Sequence, residues 1–257
     1  MTCIIFLKYD VYHILKGRLI VQLDLIGAVV LTAISALVGG VYVYFLRWSV
    51  ARRMAMAAAG IAWFALVATC GATGVFDAVG GAGPAGVGVA VLIPFAMLTV
   101  ATTRAGAMRE AASAIPVPVL IGLHATRLLG LFFLLLYSSG RLPAPFAPVA
   151  GWGDVLIGLT AVPVAYLASV RAPAWRTIAL VWNTLGLLDL VVAIALGVVS
   201  SLGGPIGFAT SSVDSSVMTA LPWILIQCFN VPLLLHLHVL MFQRLRRREP
   251  AIAPVIA

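Results

Sequence analysis

Seven long apolar runs, separated by short polar or glycine- and proline-rich stretches, pattern the chain at roughly 25–46, 54–76, 87–106, 115–137, 153–170, 177–199 and 221–243. Each is close to the ~20 residues an α-helix needs to cross a bilayer. The pattern predicts an all-α fold: a polytopic membrane helix bundle of about seven transmembrane helices. It divides the chain into a segment over 1–24, a single transmembrane bundle over 25–243 with its polar core in 115–243, and a basic tail over 244–257. In the first segment the short apolar piece CIIFL is followed by Lys8, Lys16 and Arg18. It is too short for a signal-peptide core and no small-residue cleavage site follows. An interfacial or leader segment is the expectation there. No connection is long enough to fold as a domain, and the longest, about 200–220, is rich in Gly and Ser.

Composition strengthens this reading. Of the 257 residues 63% are hydrophobic and 9% charged, where a soluble domain carries about a quarter charged, and mean hydropathy is +1.13. The net charge of +8 does not point to nucleic acid, because the basic residues sit in small clusters between apolar runs rather than on one face of a domain. Arg47, Arg52, Arg53, Arg104, Arg109, Arg171, Arg176, Arg244, Arg246, Arg247 and Arg248 all fall at alternate connections or the tail, and the opposite connections hold only Arg141. By the positive-inside rule the arginine side is cytoplasmic, which places the N-terminus outside and the C-terminus inside a cell (plasma or inner) membrane. Cys3, Cys70 and Cys228 form no CxxC pair, so no disulfide framework or zinc site is implied, and no metal is expected.

Charged groups at membrane depth are expensive and mark candidate function. Arg127 lies ten residues before Tyr137, Asp189 ten before Val199, and Asn230 nine after Leu221, so at equal rise all three share one depth. An Arg127–Asp189 ion pair is expected, with Asn230 taking up leftover donors. His124, Asn183, His236 and His238 form a second layer nearer the arginine side. Gln227, Asn230 and His238 fall within about 80° on one helix face, and His236 opposes them, with Pro232 able to rotate the lower half. Of the two histidines, His238 is the one expected to face inward. Asp154 follows GWG at the expected outer mouth of the fifth run, where it would cap the helix beside Trp152. Gly158, Ala161 and Ala165 continue its face as a small-residue seam. Prolines 94, 116, 118, 163 and 232 lie in or near helix interiors.

The absences prune the alternatives. No lysine lies in any run, so a retinal Schiff base is excluded, and there is no HExxH, GxSxG, aspartate-rich prenyl-diphosphate motif or phosphate loop. Transport or binding of a small molecule, ion or proton is the leading expectation, with Arg127 and Asp189 at its centre and the histidines relaying protons. A haem is the one cofactor considered, held by His124 and by His236 or His238. A lipid- or quinone-acting enzyme and a structural membrane subunit complete the set. The expected partners are the lipid bilayer and a small ligand, not nucleic acid.

Overall fold

The computed structural model describes residues 2–201 and 213–246, with side chains from residue 17 onward. The sequence expectations for the connection over 202–212, for the side chains before 17 and for the tail beyond 246 therefore lie outside the described residues. Among the described residues all regular structure is helical: α1 (Thr2–Phe45), α2 (Val50–Ala72), α3 (Gly83–Arg104), α4 (Gly106–Ala112), α5 (Val117–Leu123), α6 (Gly130–Ser138), α7 (Phe146–Ser169), α8 (Trp175–Val199) and α9 (Val231–Arg246). A 3₁₀ stretch over His124–Leu129 joins α5 to α6, and a π turn over Ile226–Asn230 leads into α9.

Seven helical stretches are long and apolar enough to cross a membrane: Gly17–Phe45, Val50–Ala72, Gly83–Arg104, Val117–Ser138, Phe146–Ser169, Trp175–Val199 and Ile226–Arg246. Their bounds differ from the sequence runs in two informative places. The first helix runs continuously from Thr2 instead of starting near residue 25. Asp24, the last residue of the expected 1–24 segment, lies within this helix and is ion-paired. Arg141 donates from Nη1 and Nη2 to the two Asp24 oxygens at 2.6 and 3.1 Å, and Trp223 Nε1 donates to Asp24 Oδ1 at 2.9 Å. The fifth span begins at Phe146 rather than 153, because FAPVA joins the helix and GWG does not interrupt it.

The spans are unequally enclosed. Within its most apolar window 67% of the seventh span is buried and 56% of the fourth, against 11% of α2 and 17% of α3. The bundle is therefore built around α9 and the fourth span, with α2 and α3 at its periphery. The outward face of α7 carries Leu156, Leu159, Val162 and Tyr166, each 58–65% exposed. A helical stripe of that kind has no stable partner in water and suits lipid. The inward face carries Gly151, Asp154, Gly158, Ala161 and Ala168, the small residues that let a neighbour's backbone approach.

At the pole opposite the arginine clusters, Gly140 with φ +72° closes α6. Arg141 N–H returns to the Leu136 carbonyl at 2.8 Å, a tight stop that needs a left-handed residue. That turn aims Arg141 at Asp24. Trp223 is fully buried, and a Cβ on Gly27 would stand 2.6 Å from its ring, so α1 passes the indole only because residue 27 lacks one. Trp223→Ala is expected to lower stability by about 3–5 kcal/mol through the void it leaves. Asp24→Asn should cost less, about 1 kcal/mol, having exchanged a charged for a neutral acceptor. Thermal unfolding in detergent micelles measures both.

Candidate functional site: a buried arginine between two aspartates

The fourth span and α7 meet backbone to backbone. A Cβ on Gly130 would lie 2.5 Å from Asp154 Cβ and 2.6 Å from the Gly151 carbonyl, and one on Gly158 would lie 2.8 Å from Leu128 N. Glycine is required on both sides of this crossing. The fourth span is also wound here as a 3₁₀ stretch, which is narrower than an α-helix and common in short pieces at functional hinges. Arg127 sits on that stretch.

Its guanidinium is held by three acceptors from two other helices. Nε donates to Asp154 Oδ1 at 2.6 Å, Nη1 donates to the Gly186 carbonyl at 2.8 Å, and Nη2 donates to Asp189 Oδ2. The expected ion pair with Asp189 is thus present in the structure, and Asp154 joins it. Asp154 does not cap a helix at an outer mouth. The longer α7 sets it in the third turn, where it is buried against Arg127. Trp152, its expected companion, lies on another face of α7 and is 63% exposed. Gly153 makes room for the second carboxylate, since a Cβ there would overlap Asp189 Oδ1. The Arg127 side chain is 1% exposed, whereas those of Asp154 and Asp189 are 12% and 17% exposed. Asp154 Oδ2 and Asp189 Oδ1 accept no hydrogen bond among the described residues.

Toward the arginine-rich pole lies a second group. Asn183 Nδ2 donates to the His238 carbonyl at 3.1 Å, which fixes the amide so that Oδ1 faces His238 Nδ1 at 2.7 Å. An amide oxygen only accepts, so the hydrogen is on Nδ1 and His238 Nε2 carries a lone pair. The His124 ring lies 4.1 Å from that of His238 at 35°, with the Trp182 ring edge-on to it at 5.5 Å. Both histidines are fully buried. His124 Nδ1, His124 Nε2 and His238 Nε2 have no hydrogen-bond partner.

Three expected members of the site are elsewhere. Asn230 does not reach Arg127. It donates to Ser35 Oγ at 3.1 Å and to the Leu225 carbonyl at 3.2 Å, because the π turn inserts an extra residue and carries it toward α1. Gln227, on the same turn, is half-buried and takes no part in the network. His236 is enclosed on the other side of α9, with Nε2 3.1 Å from Tyr42 Oη and Nδ1 3.3 Å from Thr99 Oγ1. The haem expectation does not fit this geometry. Axial imidazoles oppose each other across a macrocycle, whereas His124 and His238 stack on one another and His236 already uses both ring nitrogens. Among the described residues no group of three or more His, Cys, Asp or Glu could hold a metal ion. Ser35, Tyr42, Thr99 and Trp182 were not singled out by sequence, since each reads as an ordinary helix residue.

The fold and the site together define an all-helical protein with seven helices of membrane-spanning length and a charged centre buried among three of them. The chain belongs to the family described as "Domain of unknown function (DUF8737)", whose model matches residues 84–246. No curated protein and no solved structure matches it. The family match contains every residue of both polar groups, while α1 and α2 precede it.

Removing one partner of a buried ion pair strands the other charges, at about 3–5 kcal/mol. Arg127→Met is expected to destabilise by that amount. Replacing the whole centre, as Arg127→Met/Asp154→Leu/Asp189→Leu, should recover most of it, because no buried charge is left. Chemical denaturation of the two variants in micelles compares them directly.

Proposed function

We propose that the protein is a proton-linked membrane transport or binding protein, and that Asp154 and Asp189 around Arg127 are its proton-binding centre. The observation that carries this reading is the charge count. Two carboxylates face one guanidinium, which leaves one negative charge uncompensated at mid-span, where isolated charge is costly. A proton or a small cation relieves it. An anionic solute is a poor fit, because it would add negative charge to a centre that already holds two carboxylates against one guanidinium. The exposure is on the carboxylates, and each has an oxygen without a partner, so the ligand meets the acids and not the base. Arg127 then holds one carboxylate ionised while the other takes and returns the proton.

The reading places the bundle in a cell membrane with the arginine-rich pole cytoplasmic and Arg141 outside, on the charge distribution alone. A cysteine substituted at Ser139 should react with an impermeant maleimide added to intact cells, and one at Ala172 only after the cells are opened. Reaction at Ala172 in intact cells reverses the orientation.

A structural role is favoured by a specific observation too: the glycines at 130, 151, 153 and 158 press the charged helices together as a packing lock would. Infrared difference spectra between acid and neutral pH separate the two. Proton binding predicts a carboxylic C=O band that disappears in Asp189→Asn or shifts in Asp154→Asn. A folded protein with no carboxyl band dependent on either aspartate overturns the proposal and leaves the lock.

A further inference from the structure

The three partnerless ring nitrogens of His124 and His238 are not explained by packing. Buried polar atoms are almost always bonded, and exceptions point to a water, an ion or a functional group in use. Chain chemistry elsewhere in the bundle shows that this sequence can satisfy a buried histidine, since His236 has a partner on both nitrogens. The open pair therefore stands out against its own neighbour on α9.

Its position gives it a task. His238 Nε2 and Arg127 Nη1 lie 3.3 and 3.4 Å from the point where a Cβ on Gly186 would stand, and His238 Cε1 lies 2.7 Å from it. Only the absence of a side chain at residue 186 lets the His238 ring and the Arg127 guanidinium approach it together. Beside it is a donor with a spare N–H, because Arg127 uses one hydrogen of each Nη nitrogen. Beside it too is a bare acceptor, His238 Nε2, since Asn183 keeps the His238 hydrogen on Nδ1. Donor and acceptor thus both border the Gly186 backbone.

We propose that His238, with His124 stacked on it, is a second proton-binding station, and that a water drawn in beside the Arg127 guanidinium links it to the Asp154–Arg127–Asp189 centre. Protons pass between the acidic centre and the arginine-rich pole through His238 Nε2. The inference rests on the acidic centre being a proton site. The groups that face His238 are Arg127 and His124 from the fourth span and Asn183 from α8, with Asp189 and Asp154 beyond the guanidinium. Tyr42, Thr99 and His236 lie on the opposite side of α9 and do not enter the route. The transfer is a proton relay without redox change: the lone pair of His238 Nε2 takes a proton from the linking water, which has taken one from the acidic centre, and the imidazolium returns it from Nε2 to the lone-pair nitrogen of His124, which releases it toward the pole.

The test is a pH jump applied to the arginine-rich side of liposomes sorted for that orientation, followed by time-resolved infrared absorption of the aspartate carboxyl band. A positioned group that transfers protons accelerates the step by about 10²–10⁴. His238→Gln is expected to slow protonation of the centre about a hundredfold while leaving the amplitude of the band unchanged. His124→Phe, which keeps a ring but not the nitrogens, and Gly186→Ala, whose Cβ would meet His238 Cε1 at 2.7 Å and push the ring off the guanidinium, should slow it in the same direction. Imidazole added to His238→Ala should restore the rate, which packing alone would not do. Wild-type rates in His238→Gln and His124→Phe, with the carboxyl band present, overturn the relay and leave the acidic centre standing. If the wild-type band itself is missing or ignores Asp189→Asn and Asp154→Asn, both proposals fall.

Discussion

A guanidinium among apolar helices admits few arrangements. Its hydrogens must be met by acceptors placed there, because apolar side chains offer none and a stranded buried charge costs several kcal/mol. Much of the bundle's local geometry follows from meeting them. Acceptors must come from three directions around one planar group, so three helices have to converge on Arg127. Side chains of ordinary size would hold those helices apart. Glycine at 130, 151, 153 and 158 removes that obstacle, and the 3₁₀ winding of 124–129 draws the fourth span tighter still. The Gly186 carbonyl, whose helix comes close for the same reason, supplies the third acceptor.

How much of this was visible in the sequence depends on whether a residue's signal is carried by its own run. The seven spans were legible because each is a self-contained apolar stretch. Arg127 and Asp189 were legible because charge inside such a stretch is conspicuous and their depths can be counted. Asp154 was misplaced by a boundary. GWG resembles a helix stop, and only the close packing of Gly151 against Leu134 and of Gly153 against Asp189 shows why those glycines are inside the helix. Counting FAPVA as helix would have brought Asp154 to the depth of Arg127. Asn230 was misplaced by a register change. A π turn adds one residue to the count, and no periodicity argument made from the run alone detects it. Asp24 was set outside the first span because its partner, Arg141, lies more than a hundred residues away.

The central helix α9 shows two outcomes for the same residue type. On one face His236 is bonded to Tyr42 and Thr99, and just above it Asn230 is bonded to Ser35. Every polar atom there has a partner, and two of the partners belong to α1. On the other face His238 has one nitrogen tied to Asn183 and the other bare, and His124 has both bare. Equal burial rules out solvent as the reason for the difference. A histidine that serves only to hold helices together gains from being fully bonded, as His236 is, so leaving three ring nitrogens open forfeits stability that the same scaffold secures a few ångströms away.

That asymmetry coincides with the extent of the family match. The closed face depends on Ser35 and Tyr42, which lie before residue 84, whereas the acidic centre and the open histidine pair are drawn entirely from residues within 84–246. α1 thus acts as a brace: it is clamped to the rest at Asp24, Ser35 and Tyr42, three points spread along its length, and although it packs against the 124–129 stretch it gives, among the described residues, no hydrogen bond to either polar group. A brace on one side lets the other side keep groups that are poorly satisfied. The physical division is between α1, which fixes one face of α9, and the fourth span, α7 and α8, which hold the charged centre beside the other, and the chemistry argued for above lies on that second side.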